Sequence, residues 1–159
     1  MKTFSQYFEV KQVQDITVSY EDERGWYYIN LEKNGKMIGQ LTWTVSGNNL
    51  DGYKPEELEL YYIWVDSKYR RQNLGEYLLK LFKVKSKQVF PTATQFSSYI
   101  TWQGVYNLLN KVFGKPFTII DDENSDELTP DQVKLRKTQP RATNTTLNYN
   151  KSIRMHYGL

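Results

Sequence analysis

The sequence has no cysteine and a single histidine, His156, and each scarcity excludes a class of site. Without cysteine the chain has no disulfide, no thiolate metal site and no cysteine nucleophile. One histidine cannot build a multi-histidine metal centre, and no nucleophile elbow supports a serine-histidine-aspartate triad. We therefore assign no metal, and we expect His156 to lie on the surface.

Long apolar runs and a strong charge of one sign are also missing. No segment approaches the ~20 apolar residues of a membrane-spanning helix, and the N-terminus lacks the apolar core of a signal peptide. We expect a cytoplasmic protein without a membrane partner. The net charge of +3 is too small to indicate nucleic-acid binding by itself.

Aromatic residues compensate for a modest hydrophobic content. Hydrophobic residues make up 39% of the chain, but 15% of the chain is aromatic, including 13 tyrosines and 4 tryptophans. Such side chains bury a large area while keeping a polar group, so the composition fits a globular protein. A length of 159 residues fits one domain, for which we take residues 1–159.

The first half of the chain has the pattern of β-strands. Asn34-Gly35, between two β-prone runs, predicts a tight hairpin. Glu21 to Gly25 reads as a polar turn. The predicted strands are Phe8–Val13, Ile16–Tyr20, Trp26–Leu31, Lys36–Val45 and Glu57–Val65.

The second half has helical and mixed patterns. From Gly75 the apolar residues follow helical spacing, and a second helix is predicted at Trp102–Phe113 with Thr101 as its N-cap. Thr129-Pro130 predicts the start of a short basic helix that ends near Lys137. Further strands are predicted at Phe96–Ile100, Pro116–Ile120 and Thr145–Tyr157.

The junction between the strand ending at Val65 and the helix from Gly75 contains most of the chemical information. Backbone amides in a short loop and at a helix N-terminus point into one space and favour a phosphate. Arg70 and Arg71 add positive charge and bidentate donors. The chain has neither the G-x-G-x-x-G fingerprint nor a Walker lysine, so the common nucleotide-binding loops fit badly.

The segment Val65-Asp66-Ser67-Lys68-Tyr69-Arg70-Arg71-Gln72-Asn73-Leu74-Gly75 resembles the coenzyme A loop of the GNAT N-acyltransferases, written [QR]-x-x-G-x-[GA]. Arg70 matches its first position and Gly75 its last, whereas Asn73 stands in place of the first glycine. Asparagine is the next most tolerant residue for left-handed backbone. The hairpin Asn34–Gly39 also resembles the family, and the likeness spans about residues 26–120.

The resemblance implies an α+β fold of three layers, with a mixed, mostly antiparallel central sheet flanked by helices. It implies an acetyltransferase that moves an acetyl group from acetyl-coenzyme A to an amine. The cofactor would lie in a gap between the strand ending at Val65 and the strand at Phe96–Ile100. The implied cofactor-binding residues are Ile63, Val65, Arg70, Arg71, Gln72, Asn73, Leu74 and Gly75.

Two catalytic residues follow from the same resemblance. Glu59 lies six residues before Val65, on the strand face that alternates through Tyr61 and Ile63, and is the expected base, with Glu57 in reserve. Tyr106 resembles the family's tyrosine that protonates the leaving thiolate. Each carboxylate could instead be a solvated group at a strand end, and Tyr106 could have a role in the core or on the surface.

The sequence departs from the family pattern in two further places. Only a turn separates Tyr20 from Trp26, where the family has two helices that wall the acceptor site. An insertion at about residues 121–144 separates the last two strands and is acidic first, then basic at Lys134, Arg136, Lys137 and Arg141. It is either a solvated excursion or a contact for a partner or substrate.

Two alternatives to the acetyltransferase remain open. One is a catalytically silent module of GNAT fold that binds a protein or nucleic acid through the basic C-terminal third. The other is an unrelated α+β nucleic-acid-binding domain that uses exposed lysines and aromatic residues. The chemical class of the amine acceptor is not specified by the sequence.

Overall fold

The computed structural model describes residues 15–46, 55–135, 137 and 153–159. The chain forms two compact units, Met1–Ala93 and Thr94–Leu159. The strand predicted at Phe8–Val13, the basic residues Arg136 and Arg141, and the start of the predicted last strand lie outside the described residues. The single domain over residues 1–159 stays a prediction.

The N-terminal unit contains an antiparallel sheet whose strands pair in chain order. Asn34 and Gly35 have φ values of 52° and 72°, which confirms the predicted hairpin. The expected turn at Glu21–Gly25 is shorter, because the chain reverses at Arg24 and Gly25 alone and leaves Glu23 paired with Trp26. The strands are β1 (Ile16–Glu23), β2 (Trp26–Lys33), β3 (Lys36–Val45) and β4 (Glu57–Val65).

A 3-10 turn at Ser67–Tyr69 leads from β4 into helix α1 (Leu74–Val89). The helix buries an apolar stripe that includes Leu78 and Phe82, as its periodicity predicts. Phe82 meets Trp43 of β3 edge-on, with ring centroids 5.6 Å apart. Because side chains alternate along a strand, this contact defines an α1 face of the sheet and an opposite far face.

Trp43 is the centre of the core on the α1 face. Its side chain is 1% exposed and stacks on Tyr27 with ring centroids 4.3 Å apart. Phe90 meets the edges of both rings. Burial of this cluster removes a large aromatic area from water, so the cluster is a main source of stability in this unit.

The C-terminal unit contains β5 (Gln95–Tyr99), α2 (Gln103–Phe113), β6 (Thr118–Asp121), β7 (Asp126–Glu127) and β8 (Ile153–Gly158). Strand β8 pairs antiparallel with both β5 and β6. Phe96 of β5 stacks on Tyr157 of β8 at 5.3 Å, and Phe113 meets Phe96 at 4.7 Å. The unit therefore has its own aromatic core.

Two local predictions for this unit need correction. Thr101 does not cap α2, whose N-cap is Trp102. The basic helix to Lys137 does not form: only a 3-10 turn at Pro130–Gln132 is present, and Val133 is already extended. This turn buries no side chain, and a short helix without packing is marginal in water. The capping signal at Thr129 is nevertheless confirmed by a capping box with Gln132.

Both units are of the α+β class, and the strand pairings given above for the described residues are antiparallel. Neither helix in the described ranges is long and apolar enough to cross a membrane.

Candidate active site

The loop after β4 is anchored to the sheet at its start. The amide of Asp66 donates to the carbonyl of Ile38 at 2.8 Å, and the Asp66 carboxylate accepts from the amide of Lys68 at 3.0 Å. The second bond caps the 3-10 turn at Ser67–Tyr69. The path of the chain is therefore set by one bond to the sheet and one local bond before it reaches the two arginines.

The loop then passes through two left-handed residues. Arg71 has φ 63°, and Asn73 has φ 59° and ψ 19°. The left-handed backbone expected at Asn73, where the GNAT motif has glycine, is confirmed. Left-handed Asn73 is followed by right-handed Leu74, and such a pair forms a nest of amides that attracts anions. We call the segment Arg71–Gly75 the nest.

Helix α1 begins within this nest, at Leu74. The first helical hydrogen bond runs from the amide of Tyr77 to the carbonyl of Asn73 at 3.0 Å. The amides of Leu74, Gly75 and Glu76 precede that bond, so they have no acceptor within the helix. The positive end of the helix dipole adds to their attraction for an anion.

The charges around the loop are mostly positive. Arg70 and Arg71 are both exposed, and Nε of Arg70 donates to the carbonyl of Val65 at 3.1 Å. The nearest helical carboxylate, Glu76, forms an ion pair with Lys80 at 2.9 Å. The Glu76 charge is therefore balanced by Lys80, and the two arginines add positive charge beside the nest.

A glycine allows α1 to approach the sheet closely beneath the loop. Gly39 of β3 pairs with Val65. A Cβ on Gly39 would lie 3.3 Å from the carbonyl oxygen of Trp64 and 3.5 Å from Cδ1 of Leu78. Both contacts are at or near the limit of van der Waals packing. Gly39 thus lets the first turns of α1 sit against the end of β4, which positions the nest.

Glu59 does not share a face with Ile63 and Val65, contrary to the expectation from simple alternation. The register of β3 with β4 shifts between Thr42, which pairs with Tyr62, and Trp43, which pairs with Leu60. Tyr61 is therefore an extra residue in β4. This β-bulge reverses the alternation, so Glu59 lies on the far face while Ile63 and Val65 lie on the α1 face.

Glu59 keeps a defined environment on the far face. It pairs with Thr44 and is half-buried, whereas Tyr61 and Tyr62 are 65% and 48% exposed. The ring of Tyr61 meets Trp26 edge-on at 5.0 Å. The structure therefore places the predicted base among exposed aromatic side chains.

Tyr106 lies on α2 in the C-terminal unit. Its side chain is half-buried. Burial raises the pKa of nearby Tyr157 far above its ordinary value, and the proximity of Tyr106 adds to the shift. The gap predicted between β4 and β5 stays a prediction, since these strands belong to different units.

His156 is not a surface residue, contrary to expectation. It pairs with Ser97 on one side and Thr118 on the other, and it is only 9% exposed. The reason is that β8 has a strand on each side. Within the described ranges, no three His, Asp or Glu side chains gather to hold a metal ion.

The strand, loop and helix that form the nest lie in a region that matches a known family. Residues 2–89 match the profile of the Acetyltransferase (GNAT) family. The chain belongs to the GNAT family.

Solved structures of GNAT proteins share the fold. A GNAT acetyltransferase from Elizabethkingia anophelis with acetyl-CoA bound is similar over 92% of this chain and 99% of its own, at 13% identity and a TM-score of 0.60. A Bacillus subtilis acetyltransferase in complex with CoA is similar over 91% of this chain and 98% of its own, at 11% identity and a TM-score of 0.58. The Escherichia coli ribosomal-protein-S18-alanine N-acetyltransferase is similar over 87% of this chain and 70% of its own, at 16% identity and a TM-score of 0.52. No curated protein matches.

Sequence reasoning missed two features of this GNAT chain. One is the bulge at Tyr61, and the signal was present: the apolar residues of β4 fall at Leu58, Leu60, Ile63 and Val65, a period of two with one step of three. The other is the left-handed backbone at Arg71, which no local pattern indicates. Both features decide where side chains and amides near the loop are directed.

Proposed function

We propose that this protein transfers an acetyl group from acetyl-coenzyme A to an amine. The observation on which the proposal rests is the amide nest at Arg71–Gly75, which joins a strand end to a helix N-terminus beside two exposed arginines. A pyrophosphate is the part of coenzyme A that such a nest suits. Membership of the GNAT family supports the same reading.

The residues present fit this cofactor. The amides of Gln72, Leu74 and Gly75 lie in or next to the nest, and Arg70 and Arg71 supply positive charge. The backbone of Ile63 and Val65 would bind the pantetheine arm, with Val65 already accepting a bond from Arg70. When bound, acetyl-coenzyme A supplies an activated thioester. The related structures with acetyl-CoA and CoA support this choice.

Glu59 is the proposed base, with Glu57 in reserve. An ammonium cannot attack a thioester, so the Glu59 carboxylate accepts a proton from the amine, directly or through water. The nitrogen then forms a bond to the acetyl carbon, and the carbon–sulfur bond breaks. The Tyr106 hydroxyl donates its proton to the departing thiolate and later regains one from solvent.

Calorimetric titration of acetyl-coenzyme A into wild-type protein and the Gly75→Glu variant tests the nest. A glutamate in the first turn suits the helix dipole, so the variant should fold, while its charge opposes the pyrophosphate. The expected result is binding by the wild type and none by the variant. Gln88→Glu adds the same charge at an exposed position at the other end of α1 and should bind normally.

The activity itself is tested by screening amines for release of free thiol. Turnover that Gly75→Glu abolishes would support the acetyltransferase. Absence of binding by the wild type, or equal binding by Gly75→Glu, would overturn the site. Tight cofactor binding without turnover on any polyamine, aminoglycoside, peptide or nucleic acid would favour the catalytically silent module.

A further inference from the structure

The far face of the N-terminal sheet has an unusual composition. Register and alternation assign its side chains in rows across the strands, for example Glu23, Trp26, Thr44 and Glu59. In the stretches 19–23, 26–30, 40–44 and 57–64, the aromatic and acidic residues of this face are Glu21, Glu23, Trp26, Tyr28, Glu57, Glu59, Tyr61, Tyr62 and Trp64.

The charge on this face is of one sign. Within those four stretches the far face holds glutamates and no lysine or arginine, although the whole chain has 21 basic and 18 acidic residues. The acidic surface therefore differs from the average of the protein. Such a surface attracts cations and repels anions at moderate ionic strength.

The aromatic residues are exposed where the carboxylates lie. Tyr61 is 65% exposed and Tyr62 48%, and the bulge turns them toward the side of Glu59. Trp26, edge-on to Tyr61 at 5.0 Å, extends the patch toward Glu23, its partner on β1. Faces of aromatic rings beside carboxylates form a site that favours ammonium groups over neutral ones.

We propose that the far face binds the acceptor, and that the acceptor is a small amine with two or more positive charges, as in a linear polyamine. This rests on the proposed acetyl transfer. One ammonium lies at the ring of Tyr61 beside Glu59, where its proton can be removed. A second lies toward the outer carboxylates Glu21 and Glu23. A monoamine or a neutral chain makes only part of these contacts.

Titration of spermine into the wild-type protein without cofactor tests the proposal, with calorimetry and tryptophan fluorescence as readouts. Tetraethylene glycol, which is neutral and flexible, is the control ligand. We expect spermine to bind and the polyether not to bind. Because the contacts are electrostatic and exposed, added salt should weaken the binding of spermine steeply.

Variants locate the site. Tyr61→Ala should weaken the binding of spermine roughly two- to fivefold, the loss of affinity expected for one exposed cation–π contact. Tyr61→Phe keeps an aromatic ring and should keep the affinity. Glu59→Gln should weaken it by a similar factor. Phe117→Ala removes an exposed aromatic ring from the C-terminal unit and should leave binding unchanged.

Several outcomes would overturn the proposal. These are no binding by the wild type, equal binding by wild type and Tyr61→Ala, or equal affinity for the polyether. Tighter binding of a lysine-rich peptide than of spermine would assign the face to a protein acceptor instead. Dimerisation that Tyr61→Ala abolishes would assign it to a second copy of the chain.

The two proposals fail separately. Spermine binding that depends on Tyr61, without acetyl transfer, would confirm a polyamine site on the far face but overturn both the acetyltransferase and the role of spermine as its acceptor. Acetyl transfer that shows no preference for spermine over a monoamine would support the enzyme and overturn the inference.

Discussion

Substitutions at Asn73 separate the backbone conformation of the nest from its charge. The residue is exposed, has φ 59° and ψ 19°, and its side chain makes no capping hydrogen bond to α1. Its backbone carbonyl accepts from the amide of Tyr77, a bond that any residue can keep. The effect of a substitution should therefore come mainly from the cost of left-handed backbone.

The expected magnitudes follow from that geometry. A left-handed conformation costs an ordinary L-residue ~1–2 kcal/mol, and a β-branched side chain is among the worst. Asn73→Val should thus lower the free energy of unfolding by about 1–2 kcal/mol and weaken the binding of coenzyme A up to roughly tenfold. Asn73→Gly relieves the strain of the left-handed backbone but gives the unfolded chain more conformational freedom. The two effects oppose each other, so the free energy of unfolding should change by less than ~1 kcal/mol.

Asn73→Asp is the matched electrostatic variant. It has nearly the same shape and tolerance for positive φ, and a carboxylate at the N-cap suits the helix dipole, so its stability should at least equal that of the wild type. The added charge should weaken the binding of coenzyme A, and added salt should reduce the difference in affinity between the variant and the wild type. Urea denaturation gives the stabilities, and calorimetry gives the affinities. Equal stability and affinity for Asn73→Val and Asn73→Gly would refute the proposed loop geometry.

Other substitutions test the packing and the titrating groups. Gly39→Ala should lower the free energy of unfolding by about 1–3 kcal/mol in urea denaturation, since its Cβ would press on the carbonyl of Trp64. The Cβ of Gly158→Ala would meet no neighbouring atom, so this variant should differ from the wild type by at most a few tenths of a kcal/mol. Trp43→Ala should lower the free energy of unfolding by roughly 3–5 kcal/mol in the same assay. A loss of stability below about 1 kcal/mol would contradict the central place of Trp43 in the core. Burial raises the pKa of Tyr157 in the folded state, so above about pH 10 the unfolded state loses a proton that the folded state keeps and stability falls. Tyr157→Phe should flatten that alkaline decline while losing the bond to Asn110. Glu59→Gln should slow transfer to an acceptor by about a hundredfold, with relief at high pH, and normal turnover at every pH would make the carboxylate structural.

Much of the fold was readable from local sequence. The bounds of β3 and β4 were predicted as observed, because each strand is a β-prone run that ends at turn residues. The hairpin at Asn34-Gly35 and the left-handed Asn73 were also predictable, since both depend on how one or two residues tolerate positive φ. Of the two left-handed residues in the nest, Asn73 follows from such a local preference and Arg71 does not.

The tertiary structure decided the features that depend on distant partners. The direction of Glu59 is set by the bulge at Tyr61, which exists only in the register of β4 with β3. The burial of His156 depends on pairing with both Ser97 and Thr118. The sequence by itself determined where β1 to β4 begin and where the hairpin at Asn34-Gly35 lies, since those choices are made by neighbouring residues. Which face a side chain occupies, and whether it is buried, was decided by strand pairing across long separations, because a shift of one residue in register moves every later side chain to the other face.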